Sequence, residues 1–404
     1  MNRYLVAAPE TSSNSLGRAL SLAEMLRHLG PVSIAAGYDG PLWQGAHGSP
    51  VTVRPFGDLA ELERIIASEA RLAAGVLVVV AVKPFQRSLG WVAEAVRGEA
   101  AEDILLVVDL DDHDASIQWR AQRGGSRSDR ARFLLRHELS PWQIRRRIGH
   151  GLRQADLLTV SSWALRTRFP SFRGPELRVP HPRSPVPYRA PKRADRLRIG
   201  FLGTPQQYKG IDILGRLMSA RPDLELHVLA GMEPSLRAFP TELSRRVVAH
   251  PHLGQETLRR AFEQVDAVVL PQDPAFAGAR WQLPAKAIDA LCHGRPIVAT
   301  ATPPIVEVAG VGVLTVSSWR SLDEGLVRLD ELSDRTAREL MGRRMNRSYT
   351  ESLSAPALAH QFATAIASVT GASLPSHGPQ RTPVVDGGAG EVRTCVGAGE
   401  LGEA

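Results

Sequence analysis

The sequence predicts an α/β protein made of two successive parallel-sheet units. Three observations carry this. Short continuous apolar runs recur along the chain, helical patterns separate them, and a proline-rich stretch interrupts the series near its middle. Strands buried on both faces read as unbroken apolar runs, and their alternation with helices marks a parallel sheet. At 404 residues the chain is also long for one core, so two domains are expected.

The first unit opens with a strand over residues 2–7. A polar turn (Thr11-Ser-Ser-Asn-Ser) leads into a helix, because Leu16, Leu20 and Ala23 and then Leu22, Leu26 and Leu29 fall at helical spacing, with Gly30 as its stop. Further strands are expected at Val32–Ala36, 76–82, 104–108 and 157–160. Between Val179 and Arg196 lie Pro180, Pro182, Pro185, Pro187 and Pro191, which reads as a linker. The pattern restarts with strands at 197–202, 225–229, 266–270 and 296–299. An amphipathic segment near 355–369 is expected to form a closing helix. The expected organisation is therefore an N-terminal domain over 1–190, a C-terminal domain over 195–350, a closing segment over 351–371 that packs back on the first domain, and a disordered tail over 372–404 whose Gly, Pro, Ser and Thr show no periodicity.

Composition narrows the functional classes. Two cysteines, Cys292 and Cys395, make neither a disulfide framework nor a metal cluster, which suits a reducing compartment. The N-terminus lacks the apolar core of a signal peptide, and no apolar run is long enough to span a membrane. A cytoplasmic protein is expected. Its formal charge of +7 points to an anionic partner. The charge is concentrated at residues 120–153, where ten arginines face Asp129 and Glu138. There Phe133, Leu134, Leu135, Trp142, Ile144 and Ile148 interleave with arginines, a pattern that fits an anionic membrane surface or simply a solvated basic face. No nucleic-acid module accompanies it, so nucleic acid is not an expected partner.

Two stretches carry chemistry. Gly203-Thr204-Pro-Gln-Gln-Tyr-Lys209-Gly210 follows a strand and precedes a helix. Backbone N–H groups, a helix dipole and the Lys209 charge would together suit a phosphate, although a plain loop with a solvated lysine fits as well. Gln282-Leu-Pro284-Ala-Lys286-Ala-Ile-Asp289 reaches Gly294-Arg-Pro-Ile-Val. Pro284 suits a first helical position and Gly294 a helix stop. Lys286 and Asp289, three apart, share a face, where a cation suits a diphosphate and a carboxylate suits ribose hydroxyls. The plainer alternative is an i,i+3 ion pair. Asp111 and His113 lie just past an N-terminal strand, where a cleft would open. A substrate contact and a capping role are both open there.

Taken together, these motifs resemble the donor domain of GT-B glycosyltransferases of family 4 (glycosyltransferase group 1). Leu229-Ala-Gly231, Asp266-Ala-Val-Val-Leu-Pro271 and Glu307 add to the likeness. In the first half, Ala155-Asp156-Leu-Leu-Thr-Val-Ser161, Val82-Lys83-Pro84 and Val108-Asp109-Leu-Asp111-Asp112 do the same. The resemblance spans about residues 3 to 370 and implies two Rossmann-like domains facing across a cleft.

That resemblance implies transfer of a sugar from a nucleoside-diphosphate sugar to a polysaccharide, glycolipid or metabolite, with retention of configuration and without metal or other cofactor. Lys209 and Lys286 would stabilise the leaving diphosphate. Asp289 would hold the ribose. Gly17, Arg18, Gly203, Thr204, Gly231 and Pro284 would complete the donor site, and Asp111 and His113 would stand near the reacting sugar. Three departures stand out. Trp281 occupies the place of the family's first glutamate, Thr204 that of an arginine, and Ser13-Asn14 that of paired glycines. They keep two alternatives in view, a non-catalytic homologue acting as a membrane-associated partner and a nucleotide-sugar epimerase.

Overall fold

The computed structural model describes residues 1–13, 15–97, 103–121, 126–136, 138–203, 209–230, 239–251, 254–310 and 312–371. The expected tail at 372–404 lies outside the described residues. Among the described residues thirteen strands form two sheets, and every pairing in them is parallel.

The first sheet has the order β3-β2-β1-β4-β5-β6-β7. Its strands are β1 (Arg3–Ala8), β2 (Val32–Gly37), β3 (Val53–Phe56), β4 (Leu77–Val82), β5 (Ile104–Leu110), β6 (Leu157–Val160) and β7 (Glu176–Arg178). Its central strand shows why the apolar runs are unbroken. Along β4, Val78, Val80 and Val82 face one core, and Leu77, Val79 and Ala81 face another. The first core is closed by the helix Ser15–Leu26, through Leu16, Ala19, Leu20 and Ala23, and the second by the helix Leu59–Leu72, through Leu62 and Ile66. A sheet covered on both faces has no polar side to alternate with.

The second sheet has the order β10-β9-β8-β11-β12-β13. Its strands are β8 (Leu197–Phe201), β9 (Leu224–Leu229), β10 (Val247–His250), β11 (Ala267–Leu270), β12 (Ile297–Thr300) and β13 (Val313–Val316). Four strands, β3, β7, β10 and β13, escaped the sequence reading, and all four are sheet edges. An edge strand pairs on one side only and is less buried, so its apolar signal is weaker. β3 even carries Pro55, which an edge tolerates.

The proline-rich stretch contains no helix or strand from 179 to 196. It is nonetheless docked: Val179, Pro180, His181 and Pro182 are buried. The helix Ala355–Thr370, capped by Ser354, returns to the first sheet. Its Leu358, Ala359, Phe362 and Ile366 enter the first core, and Phe362 meets Tyr4 at 6.5 Å between ring centroids.

Each sheet reverses its strand order at one place, between β1 and β4 and between β8 and β11. Ligands of such sheets bind beyond the strand carboxyl ends at these switch points. Residues following all four strands line one cleft of 450 Å³.

Candidate active site

Phosphate-like chemistry gathers on the wall built by the second sheet. β8 is followed by Leu202 and Gly203. Beside Gly203 stands Lys286, the second residue of the helix Ala285–His293. A Cβ at position 203 would lie 3.3 Å from Lys286 Nζ, so glycine lets the ammonium lie flat against the strand end. Nζ is 3.4 Å from the Phe201 ring centroid and has no hydrogen-bond partner among the described residues. Burial, and after it the neighbouring Lys209, holds Lys286 well below the ordinary lysine value. A buried cation in this state is stabilised by an incoming anion.

Lys209 also lines the cleft. Gly210, next to it, has φ +76°, and a Cβ there would come 2.1 Å from the Pro271 carbonyl oxygen. Only glycine fits, and this pins Lys209 where the helix Ile211–Ala220 begins. Burial lowers its pKa, with Asp112 across the cleft pulling the other way.

Pro284 sits at the N-cap, one residue before the first helical position, with φ −64° and an extended ψ of 129°. Gly294 ends the helix in the left-handed region at φ 61°. Lys286 and Asp289 share the cleft face, but no ion pair joins them. Asp289 Oδ1 instead accepts from Arg183 Nε at 2.8 Å. Arg183 comes from the docked linker, donates also to Ser21 of the first helix, and offers its carbonyl to the Tyr349 hydroxyl at 2.9 Å. Asp289 Oδ2 accepts no such bond among the described residues.

The opposite wall is acidic. Lys83 follows β4 in the left-handed region, φ 68°. Its Nζ lies 2.7 Å from Asp111, 2.5 Å from Asp112 and 3.6 Å from Asp114. One ammonium thus serves three carboxylates. Burial pushes Asp111 up, but Lys83 and Arg18 outweigh it and leave it below its usual value. Burial raises Asp112, and it carries Asp114 up to about 7 with Asp112 and Asp111 adding repulsion. Among the described residues, Asp112 Oδ1 and Asp114 Oδ2 are buried without a hydrogen-bond partner.

Gly17 and Arg18 line the cleft on the first helix. The Arg18 guanidinium, however, is fully engaged: it holds Asp109 at 2.9 and 2.7 Å and the Pro180 and Val179 carbonyls at 3.2 and 2.8 Å. Its geometry ties the linker to the sheet. His113 is not brought to the cleft. It is buried, its Nδ1 lies 2.5 Å from Ser116 Oγ, and its ring packs 6.3 Å from Phe169. Burial takes its pKa down to about 4. Thr204 and Gly231 lie outside the described residues.

Several cleft residues went unassigned in the sequence: Asp112 and Asp114, Arg183, His181, Glu10 and Gln272. His181 is buried, and burial followed by Arg18 and Arg183 keeps it neutral with a pKa of about 3. Glu10, Asp112 and Gln272 each stand two residues past a strand end, so reading the second residue after every strand would have found these three.

Trp281, in the place of the expected glutamate, turns away from the donor wall. It packs against the second core, its carbonyl accepts from Ser162 at 3.0 Å, and Arg168 stacks 5.2 Å from its ring. Glu307 likewise crosses to the first sheet's side, accepting from the backbone N–H groups of Trp163, at 2.7 Å, and Ala164.

Comparison with known proteins agrees with this architecture. Residues 196–329 match a family model described as glycosyl transferases group 1. The fold is similar to that of the Anabaena protein Alr3699/HepE solved with UDP-glucose, at 15% identity and TM-score 0.63, covering 91% of this chain and 99% of that one. It is similar to a mutant of the S. aureus protein TarM solved with UDP, at 9% identity and TM-score 0.62, with 90% and 99% covered. AviGT4, a glycosyltransferase of avilamycin A biosynthesis, is similar at 16% identity and TM-score 0.54, with 92% and 99% covered. Among curated proteins no match is found. Two facing parallel-sheet units with one shared cleft define the GT-B fold, and the chain is a glycosyltransferase of that class.

Proposed function

We propose that this chain transfers a sugar from a UDP-sugar to an acceptor hydroxyl, with retention and without a metal ion. The observation that carries the reading is Lys286: a buried, unpartnered ammonium at a glycine strand end, beside a second lysine, in a cleft wide enough for a substrate. The bond from the anomeric carbon to the diphosphate oxygen breaks, and the acceptor oxygen takes its place. The hydroxyl proton leaves with the diphosphate. Lys209 and Lys286 stabilise the charge that develops on the leaving group. The remaining Oδ2 of Asp289 is available to a ribose hydroxyl. UDP is favoured as the nucleotide because two of the structural neighbours were solved with UDP or UDP-glucose.

The acceptor is proposed to be a cell-surface polysaccharide, glycolipid or metabolite, met in the cytoplasm or at the inner membrane face. On the basic segment Leu135 and Trp142 are exposed beside exposed Arg132, Arg145 and Arg146, which suits anionic lipid. No helix among the described residues is long and apolar enough to cross a membrane. Calorimetry against UDP, GDP, dTDP and ADP, each with EDTA, tests the core of this reading. Saturable binding of UDP is expected. No binding of any diphosphate by folded protein would overturn the donor site.

A further inference from the structure

We propose that the acidic wall of the cleft is an acceptor subsite for a protonated amine, so that the acceptor is an amine-bearing sugar or polyol, bound through Asp112 and Asp114. The inference rests on the donor reading above and adds the acceptor's chemistry to it.

Charge in the cleft is the first ground. Arg18 is paired with Asp109 and Arg183 with Asp289, so these four cancel. The other charged residues of the lining are Lys83, Lys209 and Lys286 and, opposite in sign, Glu10, Asp111, Asp112 and Asp114. A bound diphosphate takes up the positive charge of Lys209 and Lys286. Lys83 is then the one ammonium within 4 Å of the three aspartates among the described residues. This wall therefore favours a cationic acceptor group over an anionic one, and a bound cation would draw Asp112 and Asp114 into their ionised forms.

Unused bonding capacity is the second ground. Asp114 lies in the cleft lining with its side chain 8% exposed, and its Oδ2 has no hydrogen-bond partner among the described residues. Asp112 Oδ1 is in the same condition. Lys83 cannot serve them, since its Nζ already faces one oxygen of each of the three carboxylates. Buried carboxylate oxygens without donors are costly, and a ligand that brings N–H groups removes that cost. An ammonium supplies donors and charge together, whereas a hydroxyl supplies only donors.

Independently, the unpartnered Lys286 in the same cavity shows that the cleft awaits a ligand rather than closing on itself. The two walls ask for opposite charges, an anion on the second sheet's side and a cation on the first. A donor diphosphate and an amine-bearing acceptor meet both demands.

The test is calorimetric and keeps EDTA in every sample. UDP is titrated first, which tests the donor reading alone. UDP-saturated protein is then titrated with D-glucosamine, D-glucose and N-acetyl-D-glucosamine. Glucosamine is expected to bind about tenfold tighter than the two neutral sugars. The isosteric double variant Asp112→Asn/Asp114→Asn, checked for folding by its melting curve, is expected to lose that preference. Asp114→Asn alone is expected to lose part of it. Equal affinity for the three sugars, no binding of glucosamine, or a preference unchanged in the double variant would overturn the proposal. So would a glucosamine preference that disappears when magnesium replaces EDTA, since the wall would then be a metal's. If UDP itself fails to bind, the same sugar titrations on free protein still decide the amine preference.

Discussion

Arg183 in the linker donates to Asp289 on the donor-side helix at 2.8 Å, and so one oxygen of the ribose candidate is already taken. The pair is partly buried, with side chains 26% and 11% exposed. Arg183 also reaches Ser21, which makes the pair a brace between the two sheets' helices. Asp289→Ala removes both the ribose acceptor and the partner of Arg183. UDP affinity should fall by about 1–3 kcal/mol, while Arg183→Met should reduce stability without abolishing UDP binding. Titrating UDP and 2′-deoxy-UDP into both variants checks this. A wild-type preference for the ribonucleotide that survives in Asp289→Ala would remove the residue from the site.

Lys286 makes stability and binding pull apart. Its side chain is buried without a hydrogen-bond partner among the described residues, which costs the free protein stability. Lys286→Met should therefore raise the melting temperature of the free protein and still weaken UDP binding by about 1–3 kcal/mol. Lys209→Ala should weaken it by a similar amount. Unchanged UDP affinity in both variants would sink the diphosphate assignment.

The same residue sets a pH dependence. In the free protein burial and Lys209 lower the Lys286 pKa, so its proton is lost more readily than that of an ordinary lysine. A diphosphate needs the charged form and raises the pKa again. Binding therefore takes up a proton, and affinity should decline as pH rises through the lowered value, below the ordinary 10.5. Binding heats measured in buffers of different ionisation enthalpy should differ with the sign of proton uptake.

Asp114 works in the opposite sense from an ordinary carboxylate. Its folded value, about 7, exceeds the unfolded 3.8, so the folded state holds the proton more tightly. Ionising it costs stability, and the cost starts above 3.8 and is complete above about 7. Asp114→Asn should accordingly be more stable than the parent, by a margin that grows with pH between these limits and then levels off. Chemical denaturation at several pH values reads the margin. A constant margin would show that Asp114 is ionised throughout.

The central strands were legible because a doubly covered sheet demands unbroken apolar runs, as β4 shows. Gly203, Lys209, Lys286 and Asp289 were legible because they cluster in two short stretches flanking predicted helices. Long-range pairs were not. Nothing local in the sequence tells Asp289 that its partner is Arg183, or Arg18 that it belongs to Asp109. His113 follows a strand end too, but it stands just before the helix Asp114–Ala121 and its ring meets Ser116 and Phe169, contacts that its position in the sequence does not show.

Glu307 and Trp281 yield the last prediction. Both come from the second sheet's side and both end on the first. Glu307 caps the short helix Trp163–Arg166, whose first N–H groups have no intrahelical acceptors. Glu307→Ala should cost about 1–2 kcal/mol, the range for losing a side-chain cap. Trp281→Ala removes ring packing and the Arg168 stack, and should cost about 1–3 kcal/mol. Neither side chain touches the diphosphate wall. UDP affinity should therefore change little at a temperature where each variant is folded, even as its melting temperature falls. If Trp281→Ala instead abolished UDP binding while the protein stayed folded, the residue would belong to the donor site, as the resemblance implies for a glutamate at that position, and the geometry described for it would be wrong.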